Sequence, residues 1–191
     1  MQKKRGFTLI ELMVVLAIAA ILVTLAAPSF SRMIKSNSMA SGVNTFMSDL
    51  RYARSEAVRL GGGVVMCRSD YPEAASPACG SGTGTDSKGW ISGWIVYQDL
   101  NTNGSVDASE PLLRVQARNK LIDSVLESGA SSSTKFRFTG TGRLADNGGA
   151  TQLTFGGNDF DSDLKRVVCV SLGGRARIAG NGSTSCGTGN E

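Results

Sequence analysis

Apolar residues run almost unbroken from position 7 to position 27, interrupted only by Thr8, Glu11 and Thr24. Such a run, coiled at ~1.5 Å per residue, spans ~30 Å, the thickness of a bilayer core. Lys3, Lys4 and Arg5 precede it, which predicts a cytoplasmic amino terminus and a globular part outside. The helix is expected to continue past Pro28, where proline removes one backbone bond and predicts a kink. Beyond it, Val43, Phe46, Met47, Leu50, Ala53, Ala57 and Val58 recur at helical spacing, while Arg51, Arg54, Glu56 and Arg59 fall on other faces. That stripe reads as the side of a helix laid on a sheet. Glycines at 61, 62 and 63 end it, since glycine readily takes the left-handed cap.

From residue 64 the period changes. Short runs at 64–67, 90–99, 111–117, 120–127, 134–140, 151–155 and 166–172 read as strands separated by Gly- and Ser-rich turns. Phe136 and Phe138 alternate around Arg137, giving one apolar and one wet face. The expected fold class is α+β, a long amino-terminal helix packed on an antiparallel sheet.

Composition narrows the chemistry. The 191 residues contain no histidine, which removes the commonest general base and metal ligand. No nucleophile elbow, P-loop or CxxC spacing is present. A non-enzymatic protein with no cofactor and no metal is expected. Four cysteines, Cys67, Cys79, Cys169 and Cys186, fall in two local pairs amid Gly, Ser and Pro. Disulfides in an oxidising compartment are expected. Of the possible pairings, Cys67 with Cys79 and Cys169 with Cys186 close the shortest loops.

Glu11 lies early in the apolar run, where a carboxylate is costly and marks function. A secretory signal peptide would have a shorter core and a small-residue cleavage site. The stretch KKRGFTLIELMVVLAIAAIL instead resembles the class III leader of type IV pilins and type II secretion pseudopilins. The resemblance implies that a prepilin peptidase cuts after Gly6 and methylates Phe7, and that Glu11 pairs with the terminal amine of a neighbouring subunit. A buried carboxylate and a buried ammonium, each prohibitive alone, are tolerable together. The expected organisation is a leader at 1–6, a membrane and assembly helix at 7–30, and a soluble head at 31–191, with an amphipathic helix at 31–60 and a β-rich region at 64–191. The protein would sit in the bacterial inner membrane with a periplasmic head. It would then join other pilins or pseudopilins in a filament at the cell surface.

The order of FMSDLRYARSEAVRLGG, VVMCRS and GWISGWIVYQDLNTNGSVDASEPLLR resembles the GspH/FimT family of minor pilins and pseudopilins. Within it, residues 99–110 fit the calcium-loop template at Asp99, Asn101, Asn103, Gly104, Val106, Asp107 and Glu110. The flanks read as strands rather than helices, and Asn-Gly signals a hairpin turn. A plain hairpin loop is therefore expected there.

Charge is distributed unevenly. Residues 67–111 carry mostly acids, whereas 165–190 carry Lys165, Arg166, Arg175 and Arg177 with no acid. Guanidinium forks suit phosphate oxygens. If extended, 175–177 would set its two arginines on one face ~6.6 Å apart. A two-residue turn at 173 and 174 would however put Val168, Val170 and Leu172 on that same face. Either the turn is longer or the arginines lie in a loop. GRAR, starting at Gly174, resembles the GRxR motif of FimT-type minor pilins that bind DNA in natural transformation. That resemblance implies a DNA site at Gly174, Arg175 and Arg177, widened by Lys165, Arg166 and Arg143. No stacking aromatics accompany it, so backbone contacts without sequence preference are expected. The alternative is a structural subunit that primes a pilus or a secretion pseudopilus without binding DNA.

Overall fold

The computed structural model describes residues 8–84, 86, 88–129, 134–145, 151–179 and 185–187. Gly6 and Phe7 lie outside the described residues. Helix α1 covers Leu9–Leu60 and includes Pro28. Strands follow at β1 (Gly62–Arg68), β2 (Gly93–Gln98), β3 (Leu112–Ala117), β4 (Ser124–Gly129), β5 (Lys135–Thr139), β6 (Thr151–Gly156), β7 (Arg166–Val170) and β8 (Ala176–Ile178). Contacts divide the chain into two compact units, Met1–Asn37 and Ser38–Glu191.

In the first unit, the described helical residues from Leu9 to Phe30 expose large apolar side chains. Their hydropathy and length suit a membrane span. Thr8 and Glu11 form a capping box: the Thr8 amide and hydroxyl each donate to Glu11 Oε2 at 2.8 Å, and the Glu11 amide donates back to Thr8 Oγ1 at 3.3 Å. The exchange satisfies amides that the first turn leaves open.

In the second unit, the predicted stripe is the buried one. Met39, Val43, Phe46, Met47, Leu50, Ala53 and Ala57 lie in the core, whereas Val58 is exposed. Phe46 is its centre, meeting Trp90, Trp94, Phe136 and Phe155 edge-on at centroid distances of 5.4–6.3 Å. Such arrangements favour the ring quadrupoles. Buried Asp49 accepts from Trp94 Nε1 at 2.9 Å and pairs with Arg114, so its charge is compensated.

Where one sheet was expected there are two, each four-stranded, with orders β3-β2-β1-β5 and β4-β6-β7-β8. Every pairing among these strands is antiparallel. Alternation explains the burial of β1 on both sides. Val64 and Met66 face the main core, while Val65 and Cys67 join Ile95, Tyr97, Cys79 and Val106 in a smaller cluster. Two predicted strands start late. Residues 90–92 form a 3-10 turn, flanked by Gly89 and Gly93 at positive φ. Residues 120–123 precede β4 because the Asn119 side chain accepts the Leu121 amide at 3.0 Å, forming a local turn. Cys67 is bonded to Cys79 and Cys169 to Cys186, with Cα separations of 5.5 and 5.7 Å.

Candidate nucleic-acid interface

The β7–β8 hairpin carries the GRAR segment. Its register pairs Val168 with Ile178, Cys169 with Arg177 and Val170 with Ala176. The Ser171 amide then donates to the Arg175 carbonyl at 2.8 Å, and the Gly174 amide to the Ser171 carbonyl at 2.9 Å. The turn is thus longer than two residues. A one-residue change of register moves every side chain to the opposite face, so the arginines share parity with Cys169 rather than with Val168 and Val170. Arg175 lies in the turn and Arg177 in the strand.

The position of this turn follows from two glycines. Gly174 has φ +70, and a Cβ there would stand 2.2 Å from the Gly142 carbonyl oxygen and 3.1 Å from Phe138. Gly142 has φ +73, and a Cβ there would meet Arg54 Nε at 2.8 Å and Val58 at 3.2 Å. The Leu144 amide also donates to the Leu172 carbonyl at 3.0 Å. The β7–β8 turn therefore rests on the turn after β5, which rests on the carboxyl-terminal half of α1. At Gly174 a side chain would meet backbone, and both positions have the positive φ that favours glycine.

This stacking opens a groove of about 560 Å³ lined by Leu50, Arg51, Arg54, Ser55, Val58, Gly174, Arg175 and Ala176. Three guanidinium groups border it. The acids nearest them on α1 are engaged elsewhere, Glu56 with Arg59 and Asp49 with Arg114. Among the described residues, Arg51, Arg54 and Arg175 form no ion pair. Uncompensated forks around a concave surface make a local positive potential that attracts anions. In the sequence, Arg51 and Arg54 are simply residues off the apolar stripe. Their signal was spacing: 51, 54, 55 and 58 follow i, i+3, i+4, i+7, one coherent helix face.

The other sequence-predicted residues divide. Arg143 is exposed in the turn beside Gly142, its amide and carbonyl bonded to Thr139, and it is not among the residues that line the groove. Arg177 donates to the Cys186 carbonyl at 2.7 Å, tying β8 to the disulfide-bonded tail. Lys165 and Arg166 lie at the opposite end of β7, ~13 Å or more along the strand from the turn. The Lys165 stem lies along Gly156, and Arg166 donates to the carbonyls of Asp163 and Lys165. The structure does not gather this pair with Arg175.

Comparison with known proteins gives three findings. The family model for type II transport protein GspH matches residues 42–174, and that for the prokaryotic N-terminal methylation motif matches residues 1–27. No curated protein sequence matches the chain. Two crystal forms of the type IV minor pilin FimU of Pseudomonas aeruginosa (strain PAO1) share the fold. One is 21% identical over 78% of this chain and 96% of that one, with a TM-score of 0.56. The other is 20% identical over 77% and 98%, with a TM-score of 0.53. The GspH match runs from the buried face of α1 to the turn glycine Gly174 and takes in seven of the eight strands among the described residues. With the methylation motif ahead of it, the chain belongs to the GspH family, a non-enzymatic pilin-like subunit made as an inner-membrane prepilin.

Proposed function

We propose that this subunit is a minor type IV pilin that binds extracellular DNA without sequence preference, for uptake in natural transformation. The observation carrying this reading is the groove bordered by Arg51, Arg54 and Arg175, none paired with an acid among the described residues. Arg143, exposed in the neighbouring turn, is proposed to widen the site. Guanidinium forks donate bidentately to phosphate oxygens, and among the described residues no aromatic side chain lines the groove to stack a base. Binding is therefore electrostatic and salt-dependent. The full-length chain in neutral detergent, titrated with fluorescent duplexes of unrelated sequence, tests this. Arg51→Gln, Arg54→Gln and Arg175→Gln together should weaken all duplexes alike and lower the log–log salt slope by ~0.9 per lost contact. Arg177→Gln should do less, because its fork already serves the Cys186 carbonyl. Equal binding by the triple variant and the parent would leave a structural subunit that primes a pilus or pseudopilus.

The same reading places peptidase cleavage between Gly6 and Phe7, with methylation of Phe7, and organises the chain as leader 1–6, assembly helix 7–30 and head 31–191. The methylation-motif match supports it. After cleavage, Glu11 is proposed to pair with the new terminal amine of a neighbouring subunit. Mass spectrometry of the membrane-extracted protein should show a chain beginning at methylated Phe7, and an intact Met1 would refute the cleavage. Glu11→Ala should remain membrane-bound yet enter filaments poorly; normal incorporation would remove the pairing role.

A further inference from the structure

The loop joining β2 to β3 was expected to be a plain hairpin connection, and strands do flank it. Its interior holds a group that a plain hairpin leaves unexplained. The Asp99 side chain is 1% exposed. Its Oδ2 accepts the Gly104 amide at 2.9 Å, while its Oδ1 is buried with no hydrogen-bond partner. A buried carboxylate oxygen without a donor is costly. The Gly104 bond ties the carboxylate to the loop through Oδ2 and leaves Oδ1 without a donor.

We propose that the loop at 99–110 binds a calcium ion through Asp99 Oδ1, the side chains of Asn101, Asn103 and Asp107, and the Ser105 carbonyl. These are the first, third, fifth, ninth and seventh positions of the calcium-loop template. Asn101 and Asn103 donate through Nδ2 to Asp107 Oδ2 at 2.7 and 2.8 Å, while their Oδ1 atoms accept the amides of Asn103 and Ser105 at 3.0 and 2.7 Å, so the three side chains are already neighbours. Gly104 stands at the sixth position with φ +73, where the template turns sharply. Val106 packs on the cluster of Ile95 and Tyr97 and anchors the loop to the sheet. Glu110 stands at the twelfth position. Its oxygens accept the amides of Leu100 at 2.8 Å and Asp107 at 3.1 Å, closing the loop.

Among the described residues, no group of three His, Cys, Asp or Glu side chains is gathered for a metal. The donors here mix carboxylates, amides and a carbonyl, a hard oxygen set that suits calcium and not zinc. Two cations stand nearby. Lys135 donates to the Gly104 carbonyl at 3.0 Å and Arg137 to the Thr102 carbonyl at 3.2 Å, with Arg137 also 3.6 Å from Asp99 Oδ2. They clamp the loop to β5 and offset part of its negative charge. That offset sets the affinity in the weak, extracellular range, with Kd ~10⁻⁴–10⁻³ M. The loop belongs to the part of the chain expected outside the cytoplasm, where such affinity suffices.

Calorimetric titration of the chelator-treated full-length chain in neutral detergent with calcium chloride tests the assignment, alongside thermal melting with and without the ion. Saturable uptake of one calcium with a Kd of ~10⁻⁴–10⁻³ M is expected, with a raised Tm. Magnesium should bind at least about tenfold more weakly, because it demands a tighter octahedral shell. Asp107→Asn, a half-exposed change that keeps the loop's shape, should weaken calcium by about tenfold or more. Absence of saturable binding at millimolar calcium would overturn the proposal. So would an equal response to magnesium, or an unchanged affinity in a folded Asp107→Asn variant.

Discussion

Gly173 and Gly174 are adjacent in sequence, yet substituting each by alanine should have opposite consequences. At Gly174 the backbone has φ +70, and the added Cβ would lie 2.2 Å from the Gly142 carbonyl oxygen and 3.1 Å from Phe138. The left-handed conformation alone costs an L-residue ~1–2 kcal/mol. The clash is with backbone, so relief requires the turn to move, at a further ~1–3 kcal/mol typical of overpacking. Gly174→Ala should then lose ~2–5 kcal/mol. For a chain of this size, each kcal/mol shifts Tm by ~2–4 °C, which puts the drop at ~5 °C or more. At Gly173, among the described residues, a Cβ would approach only Ser171 Oγ, at 3.7 Å, an ordinary contact, and no positive φ is involved. Gly173→Ala should be neutral or stabilise by up to ~1 kcal/mol, through a less free unfolded chain. Urea unfolding of both variants in the same detergent, followed by circular dichroism, measures the difference. The displaced turn should also carry Arg175 away from Arg51 and Arg54, so Gly174→Ala should weaken DNA binding and Gly173→Ala should not. Equal stability of the two variants would mean that the β7–β8 turn is not seated on the turn after β5.

Two further perturbations probe the same unit. Replacing Cys169 and Cys186 together by serine should cost ~3 kcal/mol by the chain-entropy estimate, seen as a lower urea midpoint. It should also free the tail that Arg177 holds, seen as faster proteolysis after residue 178, and unchanged proteolysis would count against that anchoring. Burial raises the carboxyl pKa of Glu127 above its ordinary value, and the nearby Arg68 only partly opposes this. Its contribution to stability is therefore greatest below the ordinary carboxylate pKa and is lost as pH rises through the raised folded value. Glu127 Oε2 is buried without a partner, so Glu127→Gln should raise stability at neutral pH and flatten the pH profile over that window. A variant that is less stable at pH 7 would refute this.

What the sequence alone determined is mainly local. The membrane-length run, the helical stripe at 43–57 and the alternation in β5 are periodicities, and a period of 3.6 or 2 already states which face is buried. The glycines after Leu60 mark the helix end for an equally local reason, since Gly61 has φ +80. The cysteine pairs were legible because short loops close most readily. The tertiary structure decided what depends on contacts between distant segments. Separation into two sheets follows from β5 returning to pair with β1 while β4 joins β6, and no strand's own pattern encodes its partner. The face taken by Arg175 and Arg177 turned on a single residue of hairpin register, set by Gly174 docking on Gly142. The company of Arg51 and Arg54 arose from that same docking, as helix and turn are far apart in the chain. The loop at 99–110 is the converse case. Its calcium-like spacing was plain in the sequence, and strand flanks argued against it. Only the tertiary structure shows Asp99 buried beside strands β1 and β5 with one carboxylate oxygen lacking a donor, the observation on which the calcium proposal rests.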